Sequence, residues 1–223
     1  MEVGPTCHYT MGGVRVDAET QESTVPGLFA AGEVGGGMHG SNRLGGNSLS
    51  DLLVFGKLAG EHAAKYAQAA VLLEVNHDEI EKHAAEALAP FDPEEGENPY
   101  ALHEELRELM QTNVGIVRTD EDLRSALDGI AELRERSTKV KVGGNIQYNP
   151  GWHLALDLKN MLDISEAVTR AALERTESRG AHTREDHPDS DDEWGRFNCI
   201  LRQSGSDISV SREPLPELPD EFK

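Results

Sequence analysis

Val25 to Gly60 reads VPGLFAAGEVGGGMHGSNRLGGNSLSDLLVFGKLAG, and the rest of the chain is interpreted outward from it. Val25-Pro26-Gly27 is a turn signal. Leu28 to Ala31 is a short apolar run, the pattern of a strand buried on both faces. Gly32 lets the chain bend where that strand ends. Glu33 then falls at the strand's carboxyl end, where open α/β sheets place their ligands. A glycine-rich loop carries His39, Asn42 and Arg43 to Asn47-Ser48, where a helix begins. Ser48 and Asp51 stand in the S-x-x-D relation of a capping box. The helix runs on through Leu49, Leu52, Leu53 and Ala59. A glycine loop opening into a helix offers free backbone N–H groups and a positive dipole end, which suits a phosphate or a reduced flavin ring. By spacing alone, an ordinary glycine-rich crossover loop reads the same way.

Upstream, His8 precedes a Met-Gly-Gly turn whose glycines allow close approach to a ligand. Val14 and Val16 alternate with Arg15 and Asp17, as in a half-buried strand that returns hairpin-like into the apolar run. Arg43 has no obvious acidic neighbour, and its guanidinium fork can grip a carboxylate bidentately. Glu33 is either a loop anchor accepting backbone N–H groups or an acceptor for ligand hydroxyls. His39 is read as loop structure.

Beyond Leu72 the composition turns acidic and helical. Asn76 with Glu79 is a helix start, and Pro90, Pro93 and Gly96 break the run. Asn98-Pro99 opens a second helix with Leu102, Leu106 and Met110 on one face. Thr119 with Asp122 opens a third with Leu123, Leu127 and Ile130 inward. Val140 to Tyr148 is a loop or hinge. A last helix spans about Leu154 to Glu177, buries Met161, Ala167, Val168, Ala171 and Ala172, and ends at a left-handed Gly180. The pattern is an antiparallel helical bundle. Arg179, His182, Arg184 and Asp186 form a hydrogen-bonded loop network rather than a catalytic group. Asp189 to Glu193 reads as acidic and mobile, Phe197 to Leu201 as strand-like, and the stretch with Pro214, Pro216 and Pro219 as extended.

The chain has 223 residues and a formal charge of −20, from 41 acidic against 21 basic side chains. That argues against nucleic acid or an anionic membrane as a partner through broad electrostatics, but not against a local cationic pocket. Acids spread along the whole chain suggest adaptation to high salt, where screening relieves self-repulsion. Cys7 and Cys199 make neither a disulfide framework nor a C-x-x-C metal site, which fits a reducing compartment. No apolar run has the length to cross a bilayer. No G-x-G-x-x-G fingerprint precedes a helix anywhere in the sequence, so the phosphate-binding first half of a dinucleotide fold is expected to have no counterpart here.

Three motifs in order, PTCHYTMGG from Pro5, HGSNRLGGNSL from His39 and ESRGAHTRED from Glu177, resemble the flavoprotein subunit of succinate dehydrogenase and fumarate reductase. The likeness runs from the first residues to about Asp192. L-aspartate oxidases share the outline, but carry Cys at the place of Met11 and lack the full GAHTRED string. A non-catalytic remnant that binds a partner subunit is a further alternative.

The resemblance implies α/β plus α architecture. Residues 1–70 would be the carboxyl-terminal part of a Rossmann-like FAD-binding and substrate domain, 71–192 a helical domain, and 193–223 an acidic, Pro-rich tail. It implies substrate-carboxylate binding by His8 and Arg43, and FAD contacts by Glu33, Ser48 and Leu49 with Asn47 beside them. The family's proton-transferring Arg and FAD-linking His have no counterpart here, so no catalytic residue and no metal ligand is assigned. Expected partners are succinate or fumarate, an iron–sulfur subunit and, through it, membrane-anchor subunits. The expected location is cytoplasmic, peripheral on the inner face of the cell membrane. The chain alone is expected to be inactive and to bind FAD weakly.

Overall fold

The structure, a computed structural model, describes residues 8–71, 74–205, 207–217 and 220. Pro5, Thr6, Cys7, Leu72 and Pro219 lie outside the described residues. The chain divides into two compact units. One holds the described residues of 1–73 with Arg179–His182, and the other holds Glu74–Ser178 with the described residues from Thr183 on.

The second unit is built from α2 (His77–Leu88), α3 (Pro99–Asn113), α4 (Asp120–Ser137) and α5 (Pro150–Glu174). Short polar side chains start each helix. Asn76, Asn98, Thr119 and Asn149 accept backbone N–H groups of the first turn, and Pro99 and Pro150 need no donor there. The first three starts match the sequence reading. The last helix begins earlier than Leu154, because Asn149-Pro150 is itself a start signal, and it stops at Glu174 rather than Glu177. Gly180 is left-handed (φ +60°), but it belongs to a later turn, since the residue that ends α5 is an extended Arg175.

Helices α3, α4 and α5 pack on one another around Leu102, Leu106, Ile130, Leu133, Leu158 and Leu162, with a second cluster at Val114, Leu123, Ala126 and Ala172. Val140 and Val142 join the first cluster, so the loop after α4 is pinned rather than a free hinge. Ala126, not Leu127, takes the fully buried position on α4. On α5 the buried stripe is Leu158, Leu162, Ser165, Thr169 and Ala172, while Met161, Ala167, Val168 and Ala171 are half-buried. The stripe passes through polar residues because the Thr169 hydroxyl donates to the Ser165 carbonyl at 2.7 Å.

The strand β1 (Val117–Arg118) pairs in parallel with β2 (Thr183–Arg184). Arg184 is fully buried and donates to the Ala172 and Leu173 carbonyls at the end of α5. It also pairs with Asp186 at 2.6 Å, and Asp186 accepts the Asp120 N–H at the start of α4. The Arg184 guanidinium holds the Asp186 carboxyl far below the usual carboxylate range. The expected loop network is thus a tie between two helix ends.

Residues beyond 193 are not simply an extended tail. Phe197–Ser204 (β3) and Asp207–Pro214 (β4) pair antiparallel, and the guanidinium carbons of Arg175 and Arg212 lie over the Trp194 ring, 5.0 and 4.0 Å from its centre. Asp189 to Glu193 is hydrogen-bonded rather than loose. Asp191 N–H donates to Glu177 at 2.8 Å, and Ser178 N–H donates to the Asp189 carbonyl at 3.0 Å.

In the first unit, Val14 and Val16 are half-buried and Arg15 and Asp17 exposed, as the alternation requires. Bridges Val16↔Ser23 and Glu22↔Phe29 make the hairpin-like return. Leu28 to Ala31 is not a strand buried on both faces. It makes the single Glu22↔Phe29 bridge, and Leu28 is half exposed while Ala30 is buried. Helix α1 spans Asn47–Ala69. Its start is Gly46, left-handed at φ +83°, and no side chain caps it, so the S-x-x-D capping box does not form. Among the described residues no helix is long and apolar enough to cross a membrane.

Candidate functional site

Four of the six residues singled out by sequence converge on one cavity. His8, Glu33, Arg43 and Ser48 line about 240 Å³ together with Tyr9 and Leu52. Asn47 and Leu49 lie on the first turn of α1 but do not line the cavity, and Leu49 is exposed.

The glycines explain the convergence. The Val14 N–H donates to the Val34 carbonyl and the Gly36 N–H to the Val14 carbonyl, both at 2.8 Å. A Cβ on Gly13 would strike the Val34 carbonyl, so only glycine lets these two segments run this close. Glu33 sits in the one-turn 3-10 segment Gly32–Val34. Its Oε1 accepts the Thr10 N–H at 2.8 Å, which ties the His8-Tyr9-Thr10 segment beside the glycine loop. This is the anchoring role, and Glu33 lines the cavity as well.

Arg43 lies with its guanidinium carbon 4.5 Å from the centre of the Tyr9 ring. One terminal nitrogen donates to its neighbour's Leu44 carbonyl at 3.2 Å, and the other is 3.4 Å from His8 Nε2. The Arg43 Nε is buried and makes no hydrogen bond, and no carboxylate stands within ion-pair distance of Arg43 among the described residues. A buried guanidinium donor without an acceptor is costly, and an anion in the adjoining cavity would satisfy it. Burial, with the nearby Asp51 and Glu33 charges, pushes the Tyr9 hydroxyl above its ordinary range, so the ring under Arg43 stays neutral.

Sequence reasoning missed Tyr9, Leu52 and the partner of His39. Nε2 of His39 lies 3.1 Å from Asp51 Oδ2, and both side chains are nearly closed to solvent. In the sequence the S-x-x-D spacing gives Asp51 a capping role, and that nearer explanation conceals the pairing. A larger cavity of about 340 Å³ lies in the helical unit where α3 and α5 begin. Its Asn98 and Asn149 are engaged in capping and its Lys141 in a bond to the Glu94 carbonyl. Among the described residues, no group of His, Cys, Asp and Glu is arranged to hold a metal ion.

The uncapped start of α1 and the half-buried Ser48 are the features that would meet an anionic or reducible ring system, and to that extent the residues fit FAD.

Residues 103–217 match the family model described as fumarate reductase flavoprotein C-term, and residues 1–49 match the model described as FAD binding domain. An uncharacterized FAD-dependent oxidoreductase of Methanocaldococcus jannaschii is 42% identical over 91% of this chain and 36% of its own length. The succinate dehydrogenase flavoprotein subunit of Bacillus subtilis is 38% identical over 87% of this chain and 34% of its own. The chain therefore spans just over a third of the length of these curated relatives. Among solved structures, the Mycobacterium smegmatis Sdh1 complex in the apo form superposes with a TM-score of 0.92 at 51% identity, covering 99% of this chain and 38% of that one. The Escherichia coli quinol fumarate reductase gives a TM-score of 0.84 at 34% identity, covering 96% of this chain and 38% of that one.

Proposed function

The chain belongs to the family of succinate dehydrogenase and fumarate reductase flavoprotein subunits, and from that premise we propose that its first unit is one wall of a flavin and dicarboxylate site. The observation that carries this reading is Arg43, a guanidinium with a buried, unsatisfied Nε at the edge of a cavity shared with His8. A substrate carboxylate placed there accepts from Arg43 and His8 together, which fixes one end of a succinate or fumarate molecule. FAD, when bound, supplies the two-electron chemistry that interconverts the two diacids. Ser48, Leu49 and Asn47 would face the flavin at the start of α1, and Glu33 would accept ligand hydroxyls. The start of α1, which no side chain caps, carries the positive end of the helix dipole and favours negative charge nearby, and Leu52 helps exclude water from the cavity.

The chain has no G-x-G-x-x-G stretch that leads directly from a strand into a helix, and it spans just over a third of its curated relatives. We therefore read it as the carboxyl-terminal portion of such a flavoprotein, acting with a dinucleotide-binding half and inactive by itself. Its partners on this reading are an iron–sulfur subunit, which takes the electrons, and membrane-anchor subunits, which hold the assembly at the inner face of the cell membrane. The experiment is Arg43→Ala in the flavoprotein assembled from this chain and such a half. Succinate kcat/KM should fall by about a hundredfold or more, the worth of two charge-assisted hydrogen bonds, with flavin content unchanged. Undiminished turnover would contradict the assignment. Titrating the chain alone with FAD should give weak binding, and tight stoichiometric binding would contradict the partial-cradle reading.

A further inference from the structure

Helix α1 has an unusual burial pattern. Leu49, Leu52, Leu53 and Val54 are each more than half exposed, while the one buried residue of the helix is an acid, Asp51. A buried carboxylate is costly unless paired, and an apolar residue of similar volume serves stability as well or better. The pairing leads somewhere specific. Asp51, as a carboxylate, can only accept, so Nε2 of His39 donates to it across 3.1 Å. The His39 ring meets the Tyr9 ring edge to face, with centroids 5.5 Å apart and planes at 77°. The Tyr9 ring carries the Arg43 guanidinium, and Arg43 reaches His8. All of these residues lie in one compact unit.

We infer that Asp51 and His39 are positioning residues, which fix the Tyr9 ring as a platform and thereby aim Arg43 into the cavity. Asp51 fixes the plane of the His39 ring, His39 fixes the tilt of Tyr9, and Tyr9 leaves Arg43 one favourable face on which to rest. The inference concerns the same cavity as the proposed dicarboxylate grip and rests on that reading only for the ligand. The positioning is a property of the chain itself.

The primary test uses the full chain and proton NMR. Side-chain protons of Arg43 over the Tyr9 ring should be shifted upfield by its ring current. Asp51→Leu, which fills the buried position with an apolar residue but removes the acceptor, should abolish at least about half of that shift as the platform loses its orientation. The paired variant His39→Leu/Asp51→Leu leaves no buried carboxylate to unfold the unit, and should give the same loss. Asp51→Asn retains an oxygen acceptor for His39 and should keep the shift, an outcome that a role for the negative charge alone would not give. If Arg43 keeps its shift in Asp51→Leu and in the paired variant, the inference is overturned.

A second readout is succinate KM in the assembled flavoprotein. It should rise about tenfold for Asp51→Leu, with kcat changed much less, the signature of a misaimed binding group. An unchanged KM in that variant would also overturn the inference. Should the unaltered assembly prove indifferent to succinate while the Arg43 shift responds as described, the dicarboxylate reading fails and the positioning stands.

Discussion

The two units of this chain use their apolar residues in opposite ways. In the helical unit, Leu102, Leu123, Ile130 and Leu162 are at most 1% exposed, and its charged groups tie element ends together. In the first unit, Leu49, Leu52, Leu53 and Val54 face outward on α1, and the buried position goes to Asp51 beside His39. The helical unit stabilises itself through burial of apolar area, the dominant favourable contribution to folding. The first unit instead places polar and charged groups around a cavity and leaves its apolar helix face uncovered within the described residues. The lesson is that one chain joins a unit organised around buried apolar side chains to one organised around a polar-lined cavity.

That contrast can be broken at several points. Asp186→Ala strands the fully buried Arg184 guanidinium and should cost the helical unit about 3–5 kcal/mol in chemical denaturation. A loss no larger than that of a surface substitution would break the picture of a tie between helix ends. Leu123→Ala should cost about 2–5 kcal/mol, whereas Leu53→Ala should lie within about 0.5 kcal/mol of the unaltered chain. Equal costs at the two leucines would erase the distinction between the units.

Acid sharpens the same contrast. Arg184 holds Asp186 far below the ordinary carboxylate range, and hydrogen bonds from Arg136 lower Glu97 and Glu105. A carboxyl depressed in the folded state stabilises above its unfolded value and loses that contribution as pH falls toward its folded value. The helical unit should therefore hold its stability at neutral pH and lose it progressively below about pH 4. Asp186→Asn should flatten that decline, and denaturation midpoints compared between pH 7 and pH 3 measure it. The smallest expected effect is that of salt. With a net charge of −20, added KCl should raise the melting temperature by screening self-repulsion, and equal stability in dilute buffer would remove the high-salt interpretation.

What could be read from the sequence follows from where the physics is local. Helix starts at Asn76, Asn98 and Thr119 were legible because a cap and its first turn lie within a few residues of one another. The stripe of α5 was displaced because Thr169 satisfies its hydroxyl within the helix, so a polar letter occupies a core position. The hairpin of β3 and β4 was half seen, since prolines near the end of β4 suggested an extended tail. In the site, His8, Glu33, Arg43 and Ser48 line one cavity, and what groups them in the sequence is the resemblance of the motifs that carry them, since glycine spacing alone reads equally as an ordinary crossover loop. The pairing of Asp51 with His39 was not legible. The two are separated by a loop whose path no periodicity encodes, and S-x-x-D offered a nearer explanation for the acid.

The claim on which the function depends is that Arg43 is a cation awaiting a carboxylate. The most direct test follows the Arg43 Nε–H resonance of the isotopically labelled chain during titration with succinate. A saturable shift with succinate, absent when KCl of matched ionic strength is added and absent from signals of the helical unit, is the predicted result. An Nε–H signal that ignores succinate, or that responds equally to KCl, would contradict it.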